Sequence, residues 1–75
     1  MPTIRRFNNF RIDMYADDHP PVHFHIITPE TKALVDVETL EVLAGRLPGK
    51  ILREAIEWAK DNKKELKEKW QQLNG

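Results

Sequence analysis

Seventy-five residues without a cysteine leave room for one small domain and exclude both a disulfide framework and a thiolate metal site. Twelve basic residues balance twelve acidic ones, which argues against a protein that coats nucleic acid through positive charge alone. So short a chain buries a thin core, and a metal, a partner or self-association would add stability that it lacks alone.

The sequence points to a cytoplasmic protein. Met1 to Phe10 is interrupted by arginines and has no apolar run of the signal-peptide type. No window approaches the roughly 18 consecutive apolar residues of a membrane span. The absence of cysteine fits a reducing compartment.

In chain order, the first half alternates with the period of strands. Thr3 to Phe7 forms a first strand, joined through Asn8-Asn9, a pair that tolerates positive φ and suits a tight hairpin turn. Its register is open. A two-residue turn puts Arg5 on the side of Phe10 and Ile12, whereas a one-residue bulge puts Ile4 there. Phe10, Ile12 and Met14 then alternate with Arg11, Asp13 and Tyr15. Val22, Phe24 and Ile26 alternate with His23, His25 and Ile27, and Ala33, Val35 and Val37 with Leu34 and Asp36. Thr39 to Leu43 can add a short edge strand.

Leu47-Pro48-Gly49 punctuates the chain, and proline suits a first helical turn. Ile51, Leu52, Ala55, Ile56, Ala59, Leu66, Trp70 and Leu73 follow at helical spacing, with one gap near Asn62-Lys63. The mixed charges between them read as a solvated face. The expected fold is α+β, a single domain over residues 1–75. A mostly antiparallel three- or four-stranded sheet (1–46) packs on one long C-terminal helix (48–73). About 25 helical residues span roughly 37 Å, and a six-residue strand about 20 Å. A straight helix would therefore outrun its sheet and leave Leu66, Trp70 and Leu73 as a partner or self-association surface. A break at Asp61-Asn62, folding the helix back, is the alternative.

All three histidines lie in Asp17-Asp18-His19-Pro20-Pro21-Val22-His23-Phe24-His25. His23 and His25, two apart on a strand, leave the same face. Pro20-Pro21 is expected to run stiff and extended and to set how His19 is presented. Arg11, Asp13, Tyr15 and Asp36 share the parity of the histidines, on the sheet face that the helix leaves bare. Three uses of such a face compete. His23 and His25 with His19 or an aspartate could hold a divalent metal such as zinc. The same imidazoles, His23 and His25, could act as catalytic acid and base, with Arg5, Arg6 or Arg11 holding a phosphate for RNA cleavage. Or they are a structural or binding surface, with His19, Arg11, Tyr15 and Asp36 as contacts and Asp17, Asp18 or Asp36 as hydrogen-bond partners. His23 to Glu30 fits the His-X-His-X4-Glu core of a cupin, but the flanking glycines are missing and the chain is too short for that barrel. A histidine-triad hydrolase would need histidine at Ile27.

Over nearly its whole length the chain resembles the prokaryotic family known as domain of unknown function 4160. The resemblance rests on Met1-Pro2-Thr3-Ile4, Phe7, Ile12-Asp13-Met14-Tyr15, Asp18 to His25, Ala33 to Thr39, Leu47-Pro48 and Trp58. Two departures touch hairpin geometry: a glycine is missing near Asn8-Asn9, and a Thr-Gly turn reads Thr39-Leu40. The resemblance implies a gene beside that of a short DNA-binding-like protein, hence an interaction module of a toxin–antitoxin-like pair. In that picture a protein partner or a second copy meets the helix end, and nucleic acid or another phosphate ligand meets the histidine face. A small histidine- or metal-dependent hydrolase or ribonuclease is the competing expectation.

Overall fold

Five strands follow one another as an antiparallel meander: β1 (Thr3–Arg6), β2 (Arg11–Asp13), β3 (His23–Ile27), β4 (Lys32–Asp36) and β5 (Val42–Gly45). Two helices complete the chain, α1 (Gly49–Asp61) and α2 (Lys63–Asn74). The computed structural model describes residues 3–74; Met1, Pro2 and Gly75 lie outside the described residues, and with them the first two positions of the resemblance. The α+β expectation holds, with a five-stranded sheet in place of three or four strands and two helices in place of one.

The first hairpin combines both anticipated registers. Phe7 N–H donates to Phe10 O at 2.8 Å across Asn8-Asn9, a two-residue turn, and Arg6 pairs with Arg11. A register shift between Thr3 and Arg5 then lets Ile4 pack on the core while Arg5 stays exposed. The extra strand begins later than Thr39 because Asp36 holds a turn there. Its carboxylate accepts the N–H groups of Glu38 (2.7 Å) and Thr39 (3.0 Å), and Leu40 turns back onto Asp36 O at 2.8 Å with φ 62°. Val42 to Gly45 pairs with β4 through a shift opposite Leu34 and Val35, so its side chains do not alternate cleanly.

Phe10, Ile12, Met14, Phe24, Ile26, Val35 and Val37 form one buried sheet face, closed by Ala55 and Ala59 of α1 and Leu66 of α2. Complete burial of a side chain such as Phe24 contributes about 2–3 kcal/mol. Phe7 stacks on Phe10 (4.3 Å) and meets Trp58 edge-on (6.0 Å), sealing one end.

The helix breaks at Asn62. Its Nδ2 donates to Trp58 O (2.7 Å) and its backbone N–H to Ala59 O (3.1 Å), while φ −128° takes it out of the helical range. An asparagine side chain offers the backbone these alternatives to a continuous ladder. The long dimension of the molecule is therefore 32 Å, shorter than the roughly 37 Å of an unbroken helix. Leu66 is fully buried, and Trp70 and Leu73 are half-buried against the core. The expectation that these three stand uncovered is corrected: α2 turns back over the sheet. Among the described residues no helix is long and apolar enough to cross a membrane.

Candidate metal centre

Alternation along β3 sends Phe24 into the core and puts the His23 and His25 rings side by side, centroids 5.2 Å apart. Across the ladder Asp13 pairs with His25, and Asp36 with His23. The face is not bare, as the sequence suggested. Trp70 of α2 lies 5.2 Å from the His23 ring, and Tyr15 meets His25 edge-on at 4.6 Å. The His23 side chain is only 6% exposed and that of His25 17%.

The loop between β2 and β3 completes the arrangement. Asp17 takes a left-handed φ of 60°, a conformation that aspartate tolerates. Asp18 N–H then donates to Asn74 Oδ1 (2.9 Å), and Asn74 Nδ2 to Tyr15 O (3.3 Å), so the last turn of α2 pins the loop. Pro20-Pro21, expected to run extended, carries a cis peptide bond. Asp18 Oδ1 accepts the His19 N–H (3.1 Å), which aims Oδ2 at the histidines: 3.0 Å from His23 Nε2 and 3.4 Å from His25 Nε2. One donor atom from each of Asp18, His23 and His25 lies within 4.8 Å of the others.

The tautomer of His23 is set by its other nitrogen. Nδ1 is 2.7 Å from Pro21 O, and a carbonyl only accepts, so Nδ1 carries the hydrogen. In the neutral ring Nε2 is then a bare lone pair. It is buried without a hydrogen-bond partner, and although Asp18 Oδ2 is 3.0 Å away, that contact joins two acceptors. Two acceptors so close repel unless a cation, either a proton or a metal ion, sits between them.

Burial alone would raise the pKa of Asp18, but the His25 hydrogen bond, the His19 N–H and the two imidazoles outweigh it and hold the carboxyl below its usual value. Burial depresses the pKa of His25 and outweighs the opposing pull of the Asp18 carboxylate. Behind the cluster lies Asp13, almost wholly buried. Its Oδ2 accepts Arg11 Nε–H (3.0 Å) and the Tyr15 hydroxyl (3.1 Å), and its buried Oδ1 has no partner. Burial first, then the hydrogen bond to Asp13, raises the pKa of Tyr15.

His23 and His25 are thus brought together, and Arg11 and Tyr15 stand near them through Asp13. His19 is exposed and outside the three-donor cluster; of the two anticipated third donors, His19 or an aspartate, it is an aspartate, Asp18, that stands beside the histidines. Asp36 sits opposite His23 in register but spends its carboxylate on the turn at Glu38 and Thr39. Sequence reasoning missed Asn74, whose contacts span 56 and 59 positions, and the burial of Asp13. The doubled aspartate before the histidines was the available signal for Asp18.

No curated protein and no solved structure matches the chain. A family model described as Domain of unknown function (DUF4160) matches residues 9–71, a span that holds Asp13, Asp18, both clustered histidines and Trp70, and the chain belongs to that family.

Proposed function

We propose that the chain is a divalent-metal-binding domain that holds a zinc-like ion on Asp18 Oδ2, His23 Nε2 and His25 Nε2. The observation that carries this is His23 Nε2, buried without a hydrogen-bond partner 3.0 Å from the Asp18 carboxylate, with the Pro21 carbonyl on Nδ1. A backbone carbonyl on the far ring nitrogen is the usual outer support of a metal-bound histidine. Zinc bonds of 2.0–2.1 Å at tetrahedral angles separate donors by about 3.4 Å, close to the 3.0 and 3.4 Å found here. Imidazole with carboxylate suits zinc and its transition-metal neighbours better than calcium or magnesium.

Three protein donors leave a fourth position for water, the ligand count of a catalytic rather than a closed zinc site. Metal-assisted hydrolysis is the chemistry such a water would supply. Phosphate or RNA binding is less well supported. Arg11 is tied to Asp13, and Trp70 and Tyr15 shelter the histidines, which favours a small ion over a polynucleotide strand.

Isothermal titration of untagged protein with zinc chloride tests the proposal. The expected result is a single ion per chain, lost in Asp18→Ala and His23→Ala and kept in His19→Ala. Wild-type protein that takes up no zinc at submillimolar concentration would end it.

A further inference from the structure

We propose that β5 is the docking edge for a second copy of this chain, joined in antiparallel register so that Glu41, Val42 and Leu43 face Arg46, Gly45 and Ala44 of the other copy. This stands independently of the metal site.

The two edges of the sheet differ. β1 carries exposed Arg5 and Arg6 and an irregular register, the usual guards against strand addition. β5 reads Val-Leu-Ala-Gly, without charge or proline, and every residue in it is exposed. Val42 (42%) and Leu43 (46%) are exposed large hydrophobic residues in a chain that shelters both tryptophans and all three phenylalanines at least in part.

The ladder to β4 fixes which backbone groups are free. Arg46 N–H donates to Lys32 O (3.3 Å) and Asp36 N–H to Glu41 O (2.9 Å). Gly45 opposite Ala33 and Val42 opposite Val35 are therefore non-hydrogen-bonded pairs. In such pairs the N–H and C=O point away from the partner strand, here to the open edge. An antiparallel copy that sets Val42 against Gly45 matches outward groups to outward groups at both ends of the strand. The same register brings Glu41 against Arg46 twice, by symmetry. Neither residue is in an ion pair among the described residues. The apolar segment is thus bracketed by charges of opposite sign, the pattern of a self-complementary, isologous contact. Both free β5 edges are consumed, so assembly stops at two. A six-residue ladder is far smaller than the interfaces of stable complexes, so the dimer is weak and concentration-dependent.

Sedimentation equilibrium of the full chain in chelator, across micromolar to submillimolar protein, is the test. The wild type should show a reversible monomer–dimer equilibrium. Val42→Pro removes an N–H that faces the open edge and leaves the β4 ladder intact; it should be monomeric with an unchanged circular dichroism spectrum. Glu41→Arg and Arg46→Glu, each alone, should weaken the dimer about tenfold, since two related cross-strand pairs become like-charged. The two together should restore it. A wild type that stays monomeric throughout, as it would if the edge served only a different protein, overturns the proposal. So does a charge exchange that fails to restore association, which needs no proline variant to be read.

Discussion

Replacing Asp18 with asparagine separates a site built for a metal ion from a buried ion pair. The amide is the same size as the carboxyl. Its Oδ1 can still accept the His19 N–H, and its Nδ2 can donate to the His23 Nε2 lone pair that now faces an oxygen at 3.0 Å. In chelator, Asp18→Asn should therefore unfold within about 1 kcal/mol of wild type. Zinc at a hundredfold excess over its dissociation constant adds about 2.7 kcal/mol to the wild type. At about 4–8 °C per kcal/mol for a domain of this size, that is a rise of roughly 10–20 °C in the melting temperature. The variant has lost an anionic ligand and should show little of it. Thermal melts followed by circular dichroism, with zinc and with chelator, read both effects. A full zinc-induced rise in Asp18→Asn would refute the ligand assignment. A loss of about 3 kcal/mol or more in chelator would mean that an imidazolium–carboxylate pair holds the loop and would count against a metal site.

Gly45→Ala should destabilise the chain by about 2–4 kcal/mol. The added Cβ would sit 2.2 Å from Lys32 O and 2.7 Å from Ala33 Cα, at a φ of +85°. That is a large share of the roughly 4–11 kcal/mol such a chain commands; a urea midpoint within error of wild type would disprove it. Tyr15 is the one tyrosine, so phenolate absorbance follows it alone. Its pKa should lie above 10.0 in the native protein, move down in Asp13→Asn, and return to the ordinary value in urea. Because folding raises this pKa, the stabilisation is present below pH 10 and is lost as pH rises through the folded value. Equal titration in native and urea-unfolded protein would remove the buried Asp13–Tyr15 contact.

The sheet was legible where one face is buried, because alternation is then enforced: Phe10-Ile12-Met14, Phe24-Ile26 and Val35-Val37 all stand on the core side. β5 was legible only as a short edge strand near Thr39 to Leu43 and not in its bounds, since an exposed edge strand with a register shift imposes no period on Val42 to Gly45. The break in the helix left a visible trace, the gap at Asn62-Lys63. Spacing alone does not say whether such a gap bends the helix or extends it, and the bend is decided by Asn62 capturing Trp58 O. The pairing of His23 with His25 follows from the two-residue period of a strand. The third donor was ambiguous because Asp18 and His19 are neighbours in a loop, where no period applies. Tertiary contact from Asn74 fixes the Asp18 backbone, so that Asp18 rather than His19 lies beside the two histidines.

That tie between Asp18 and Asn74 has a consequence for how the domain comes into being. Asp18, His23 and His25 arise early in the chain, yet the residues that hold and shelter them, Trp70 and Asn74, lie in the second half of α2. No fragment ending before α2 would hold them in place. The cluster of Asp18, His23 and His25 should therefore assemble only once α2 has docked, and the proposed ion would bind no earlier than that.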